Sequence, residues 1–126
     1  MTILRPVAIM FFDMHELTMA QAILDEAQQQ VEAHRAHKVL AIRLQVGELS
    51  TAMPEALTFS FEVISKNTCA QDARLDITRV PWRIRCSSCQ KEYRVHDRLA
   101  LCPECNSAGG ETIAGKELMI TEMEIE

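Results

Sequence analysis

The spacing of four cysteines constrains this chain more than any other feature of its sequence. Two C-x2-C pairs are separated by twelve residues, and the cysteines are Cys86, Cys89, Cys102 and Cys105. Four thiolates at this spacing are typical of a closed, tetrahedral structural zinc site with no open position for catalysis. A redox dithiol pair is the alternative, but oxidoreductases usually carry one C-x-x-C motif beside a βαβ pattern. The sequence therefore predicts one structural Zn²⁺.

Composition and charge narrow the class of protein. The chain has 126 residues, 48% of them hydrophobic and 25% charged, as in an ordinary globular protein rather than a disordered one. Its formal net charge of -5 argues against a general nucleic-acid binder. The short apolar run 7–12 reaches neither the length of a signal-peptide core nor that of a membrane span. We expect a cytoplasmic protein without a membrane or nucleic-acid partner, and we interpret the odd cysteine, Cys69, as an ordinary thiol.

Hydrophobic periodicity predicts an α/β fold with two helices. A first helix over 17–36 has an apolar stripe at helical spacing. A second helix begins at Pro54, which suits a first helical turn, and ends near Asn67. The predicted buried residues of the two helices are Leu17, Ala20, Leu24, Ala27 and Val31, followed by Leu57, Phe61 and Ile64.

Alternating apolar residues predict a small three-stranded sheet on which the helices pack. The predicted strands cover residues 40–46, 74–80 and 117–126. Their inward-facing residues are predicted to be Leu40, Ile42, Leu44 and Val46, then Leu75 and Ile77, then Met119, Met123 and Ile125. Because the cysteines lie between the second and third strands, we expect a zinc-ribbon-like module inserted into an α/β domain.

These patterns suggest three regions. Residues 1–13 are interpreted as an N-terminal extension ahead of Met14, although an extra strand or a poorly ordered tail would also fit. Residues 14–80 and 110–126 form the α/β domain, and residues 81–109 form the zinc-binding module.

The tripeptide Met14-His15-Glu16 precedes the first helix. An imidazole beside a carboxylate can offer nitrogen and oxygen ligands to Ni²⁺ or Cu²⁺. The simpler interpretation of Asp13-x-x-Glu16 is helix capping, with Glu16 at the favourable end of the helix dipole. Residue chemistry alone favours capping.

A family resemblance changes the weight of this tripeptide. His15-Glu16 heads an amphipathic helix and is followed in order by Ala36-His37-Lys38, a Val-Gly-Glu-Leu-Ser segment at 46–50, Pro-Glu-Ala-Leu at 54–57, Phe61-Glu62 and the two cysteine pairs. The combination resembles the HypA/HybF family of [NiFe]-hydrogenase maturation nickel chaperones. The resemblance covers residues 14–126.

The resemblance implies a function and its residues. It implies delivery of Ni²⁺ to the apo large subunit of [NiFe]-hydrogenase, with a HypB-type GTPase as partner, His15 and Glu16 as nickel ligands, and a possible homodimer. Met53 occupies a position at which some members of the family carry an acidic ligand. No nucleophile–base pair or phosphate-binding glycine loop indicates an enzyme.

Other interpretations stay open at this point. A zinc-ribbon adaptor that binds protein or nucleic acid is the alternative function, although the net charge of +3 over residues 79–105 is reduced by about -2 from a zinc tetrathiolate. His34 and His37 are interpreted as solvated, His37 alternatively as structural at the helix–strand junction, and His96 as an exposed loop residue or a pH-sensitive link. Glu48 is interpreted as a loop carboxylate, or as a contact to the nickel region or a partner.

Overall fold

A computed structural model describes residues 2–4, 7–8, 15–50, 52–96 and 100–126. Most of the predicted N-terminal extension, residues 1–13, lies outside these residues, and so does Met14. The helices of the described part are α1 (Glu16–Ala33) and α2 (Pro54–Ser65). The strands are β1 (Thr2–Leu4), β2 (Val7–Ala8), β3 (Val39–Gly47), β4 (Arg74–Val80), β5 (Arg83–Cys86), β6 (Glu92–Arg94), β7 (Gly110–Ala114) and β8 (Leu118–Ile125).

Helix α1 buries a face that begins two residues later than predicted. Its buried residues follow i, i+3 and i+4 spacing: Met19, Ala20, Ile23, Leu24, Ala27 and Val31. Leu17 is 56% exposed, so its predicted place in the core is wrong. The helix ends before Arg35, whose φ of 52° leaves the helical region, rather than at residue 36. Neither described helix is long and apolar enough to cross a membrane.

Helix α2 connects two parallel strands. Pro54 occupies its first turn, and Leu57 and Phe61 are buried, as predicted, in the core cluster that also contains residues of α1. Ile64 is half-buried at the edge of the same cluster. The helix stops at Ser65, and Asn67 follows with a φ of 64°. With β3 and β4 paired in parallel, this segment forms a β-α-β crossover.

The main sheet has the order β1-β8-β3-β4 among the described strands, and β2 also pairs with β8. The three predicted strands form its centre: β8 is antiparallel to β3, and β4 is parallel to β3. The segments 2–4 and 7–8 extend the sheet along β8, so the described sheet has more strands than the three predicted. One face of this sheet packs against both helices.

Two β-bulges between β3 and β8 correct the predicted alternation. Pairing skips Leu40 on β3 and Thr121 on β8. A bulge adds one residue and thereby reverses the faces of all residues beyond it. Val39 therefore replaces Leu40 in the core, and Leu118 and Ile120 replace Met119, while Met123 and Ile125 are buried as predicted.

A second sheet, with the order β6-β5-β7, carries the cysteine pairs. It includes residues 110–114, because β7 pairs antiparallel with β5. Residues 110–114 were predicted to belong to the α/β domain, but their pairing places them in the second sheet. Ile84, Tyr93 and Val95 form a small cluster with Cys86 and Cys102, against which Trp82 packs. The module thus has a small apolar core built directly on two of its cysteines.

Candidate metal centre and nickel site

Both cysteine pairs lie on turns of the same backbone shape. In the first turn, Gln90 N donates to Cys86 O at 2.9 Å, and Cys86 N donates to Lys91 O at 2.8 Å. In the second turn the matching distances are 2.8 Å from Asn106 N to Cys102 O and 3.0 Å from Cys102 N to Ser107 O. Because the two turns repeat one geometry, each presents its two sulfurs in the same way to a shared centre.

Each turn is closed by a residue in the left-handed region. Gln90 has a φ of 65° and Asn106 a φ of 59°. Asparagine adopts this conformation more readily than most residues other than glycine, whereas glutamine has no such preference. The sequence therefore predicts the left-handed residue of the second turn better than that of the first.

The four sulfurs form a cluster of the right size for a tetrahedral ion. All four lie within 4.8 Å of one another. Cys86 Sγ is 3.5 Å from Cys105 Sγ, and Cys89 Sγ is 3.6 Å from Cys102 Sγ. A metal with bonds of about 2.3 Å to sulfur requires sulfur–sulfur separations of about 3.8 Å. The four predicted cysteine ligands are thus brought together, and their geometry fits a four-coordinate soft metal.

The pKa values of two thiols of the cluster are shifted in opposite directions. Hydrogen bonds from the side chain and the backbone of Ser107 lower the pKa of Cys105 to about 6. The pKa of Cys89 is raised to about 12: the Lys91 amide lowers it, but burial and the three neighbouring sulfurs outweigh that amide. A divalent metal would displace the remaining protons, since thiolates rather than thiols are its ligands.

His15 and Glu16 lie together at the start of α1, far from this cluster in sequence, and α1 packs on the main sheet rather than on the second one. His15 occupies the N-cap position and is exposed, and its side chain makes no capping hydrogen bond. Asp13, the residue expected to cap the helix, lies outside the described residues. The pKa of Glu16 is lowered by its own backbone amide, by that of Met53 and by His15, so its carboxylate is charged at neutral pH.

The loop before α2 approaches this pair of residues. Met53 N donates to Glu16 Oε1 at 3.1 Å, and Met53 is the N-cap of α2 with a side chain 59% exposed. The structure therefore brings Met53, where the family resemblance implies an acidic ligand in some members, next to Glu16. A thioether stands there in this chain, and thioethers suit softer ions than carboxylates do.

The other residues singled out from the sequence do not join either centre. His34 caps the far end of α1, about 27 Å from His15 along an 18-residue helix. The backbone amide of His37 binds Glu126 O at 2.7 Å, at the junction between α1 and the main sheet. His96 is exposed after β6. Cys69 is half-buried against the main core, and burial raises the pKa of its thiol.

Glu48 has partners that sequence reasoning missed. Its Oε2 accepts from Trp82 N at 3.0 Å, and its Oε1 accepts from Arg94 Nη2 at 2.9 Å. Both partners belong to the cysteine-bearing module. The only sequence signal was the placement of Gly47-Glu48 at the end of a strand, which indicates a tight turn but not its contacts.

Comparison with known proteins places these features in a family. The family profile described as "Hydrogenase/urease nickel incorporation, metallochaperone, hypA" matches residues 14–125. The hydrogenase maturation factor HypA of Geobacter metallireducens is 37% identical over 113 residues, which cover 90% of this chain and 100% of that protein. The HypA of Geobacter sulfurreducens is 38% identical over the same shares of both chains.

Two solved structures share the fold. The solution structure of the Ni metallochaperone HypA from Helicobacter pylori matches with a TM-score of 0.65 and 21% identity, over 89% of this chain and 97% of that one. A second solution structure, of a HypA protein, matches with a TM-score of 0.69 and 20% identity, over 91% and 98%. The profile match and the relatives' identities together establish that this chain belongs to the HypA family of nickel-incorporation metallochaperones.

Proposed function

We propose that this chain carries Ni²⁺ on His15 and Glu16 and delivers it to the apo large subunit of [NiFe]-hydrogenase. The observation that carries the proposal is the position of this pair. An exposed imidazole and a charged carboxylate lie side by side at a helix start, outside the closed sulfur cluster. A carrier needs ligands that can exchange, and exposed side chains allow a receiving protein to approach the ion.

The location also favours release. The positive end of the α1 dipole stabilises the anionic Glu16 but opposes a bound cation. Two side chains complete only part of a nickel coordination sphere, so backbone atoms, water or a partner would supply the rest. This arrangement predicts a moderate affinity for Ni²⁺.

The four cysteines are proposed to hold Zn²⁺ permanently. Four thiolates leave no open coordination position, and a d¹⁰ ion accepts the tetrahedral geometry that the two turns impose. The zinc would complete the core of the second sheet, because Cys86 and Cys102 are buried within it. In this proposal the zinc is structural and the chain is not an enzyme.

The deciding experiment is a nickel titration of zinc-loaded protein carrying His15→Ala. We expect a loss of affinity of at least about tenfold, because one of two proposed side-chain ligands is removed. Zinc content and the circular dichroism spectrum should not change. His34→Ala is the matched control, since it removes an exposed histidine at the other end of α1. Equal nickel affinity in both variants would exclude His15 from the site.

Partners and location follow from the proposed transfer. A HypB-type GTPase is expected to supply the free energy for release, and the receiving hydrogenase subunit places the protein in the cytoplasm. A homodimer is the further prediction, which light scattering of the zinc-loaded protein tests. We also propose that residues 1–13, whose strands β1 and β2 pair with β8, were added ahead of the metal-binding domain as an extension, which mass spectrometry of the native N-terminus tests.

The alternative is a zinc-ribbon adaptor that binds protein or nucleic acid, and its nucleic-acid-binding form is less well supported. Arg85 pairs with Glu92, and Arg94 pairs with Glu48, so these cations are neutralised within the molecule. Binding to DNA that weakens as salt concentration rises would support the alternative, because a nucleic-acid-binding protein releases counterions from the phosphates.

A further inference from the structure

We propose that Glu48 is a positioning residue for the nickel-ligand carboxylate of Glu16. By holding the second sheet against the end of β3, Glu48 fixes the loop that connects β3 to α2, which is described at residues 48–50 and 52–53 and whose last amide binds Glu16. The inference rests on the proposed function only in taking Glu16 as a nickel ligand. The mechanical link itself depends on contacts that exist without nickel.

The first step is a tightly packed joint where the two sheets meet. Glu48 binds Trp82 N with one carboxylate oxygen and Arg94 with the other. Beneath it, a Cβ on Gly47 would overlap the carbonyl of Gly115, and a Cβ on Gly115 would lie 2.8 Å from Trp82 Cα. Backbone therefore packs directly on backbone, and there is little room for the second sheet to shift while Glu48 stays bound.

The second step is the connecting loop, which is tied at nearly every described residue. Glu48 N donates to Val80 O, and Leu49 N donates to Gly115 O, each at 2.9 Å. Ala52 N donates to Ser50 Oγ at 3.2 Å. Arg79 Nη1 donates to Ala52 O at 3.0 Å, and Ala52 is only 2% exposed. The described residues of the loop, 48–50 and 52–53, are therefore held in place by hydrogen bonds.

The third step joins the loop to the proposed nickel site. Met53 N, at the end of the loop, donates to Glu16 Oε1 at 3.1 Å. A hydrogen bond of this kind orients a carboxylate and stabilises its charged form. Any shift of the loop moves this amide and so alters both the direction and the basicity of the proposed ligand.

Glu48 is the informative residue because its contacts to the module run through its side chain. The Leu49–Gly115 contact joins two backbone groups, which substitution does not remove. The Glu48 carboxylate reaches two separate parts of the second sheet, the chain before β5 and strand β6. Removing it should loosen the joint without touching a cysteine, the core or either proposed nickel ligand.

The test compares Glu48→Ala and Arg94→Ala with Arg85→Ala in the full, zinc-loaded chain. Arg85 is the matched control, since its 2.9 Å ion pair with Glu92 lies within the second sheet and its exposure is similar to that of Arg94. Amide hydrogen exchange at Ala52 and Met53 is measured without nickel, and nickel affinity is measured by titration. A general loss of structure would instead raise exchange in the centre of β3, for example at Ile42.

For Glu48→Ala we expect exchange at Met53 to rise about tenfold and nickel affinity to fall about fivefold or more. Arg94→Ala should show the same changes to a smaller extent, and Arg85→Ala should match the unmodified chain. If Glu48→Ala also releases zinc, the result for Arg94→Ala tests the inference instead. That variant removes only the exposed ion pair with Glu48 and keeps the hydrogen bond from Trp82 N. Unchanged exchange at Ala52 and Met53 in both variants would overturn the inference.

The same experiment separates this inference from the proposed function. If nickel binds independently of His15 and Glu16, the proposed function fails, yet faster exchange at Met53 in Glu48→Ala would still establish the link to the loop. If nickel binding depends on His15 but is indifferent to Glu48, the proposed function stands and the positioning role is refuted.

Discussion

At the scale of single residues, two turns with one backbone shape differ in the residue that closes them. Asn106 tolerates the left-handed conformation, but Gln90 pays a steric cost of about 1 kcal/mol or more for it. The side chain of Gln90 is exposed and makes only a long, 3.4 Å hydrogen bond to Ser87 O. No strong contact of Gln90 within the described structure therefore offsets the steric cost of its positive φ.

Gln90→Gly should stabilise the zinc-binding module by about 1 kcal/mol, because glycine adopts a positive φ without the clash of a Cβ. Thermal unfolding of the zinc-loaded protein, followed by the fluorescence of its single tryptophan, Trp82, measures the effect. Asn106→Gly is the control and should change stability less. A destabilised Gln90→Gly variant would show that the Gln90 side chain contributes more than its contacts indicate.

Glu48 should keep its charge to unusually low pH. The Trp82 amide, with Arg94 and the positive charge of Arg79, lowers the pKa of this carboxyl below its ordinary value of 4.5. Since the folded pKa is the lower one, the stabilising contact is fully present above the ordinary value and is lost as pH falls through the folded pKa. An NMR titration of the Glu48 carboxyl carbon checks this. A midpoint at or above 4.5 would contradict the contact.

At the scale of elements, sequence periodicity predicted both helices, the three central strands and most of the core. Leu57, Phe61, Ile42, Leu44 and Val46 lie where their spacing indicated. The errors have local physical causes. Leu40 and Met119 were misplaced because two bulges reverse the alternation, and a bulge depends on pairing with a strand about eighty residues away. Such pairing leaves no local sequence signal.

Two phenylalanines on α2 provide a matched test of this core. Phe61 is 1% exposed and Phe59 is 67% exposed. Phe61→Ala should lower the free energy of unfolding by about 3–5 kcal/mol, because it leaves a cavity between the helices and the sheet. Phe59→Ala should change it by about 0.5 kcal/mol or less. Denaturant unfolding at constant zinc measures both, and similar losses would contradict the assignment of the buried face.

At the scale of the whole molecule, both candidate metal sites lie at one end of the main sheet. Gly47, Val80 and Leu118 end or begin their strands there, and the loop from Gly47 leads to Met53 and Glu16. The cysteine spacing predicted the sulfur cluster, because each pair of ligands lies on one short turn whose geometry depends on local sequence. The approach of the loop to Glu16, and the link through Glu48, depend on long-range packing and could not be predicted from spacing.

Removing zinc with a strong chelator should unfold the second sheet first. That sheet has a small core that includes two of the proposed ligands, whereas the main core contains none of them. We expect NMR signals of residues 83–95 and 100–114 to collapse while those of Ile42, Phe61 and Ile120 keep their dispersion. Cys89→Ser should act in the same direction. Simultaneous loss of both sheets would contradict separate folding.

The position of β8 has a consequence for how the protein is made. This strand follows every other described element in the chain, yet it lies between β1 and β3 in the sheet. A nascent chain emerging from the ribosome can form the β3-α2-β4 unit early, but that unit exposes an unpaired β3 edge until residues 118–125 are translated. The main sheet is therefore completed only when its central strand β8 has been synthesised. A stalled or truncated product would leave the edge of β3 unpaired and prone to aggregation.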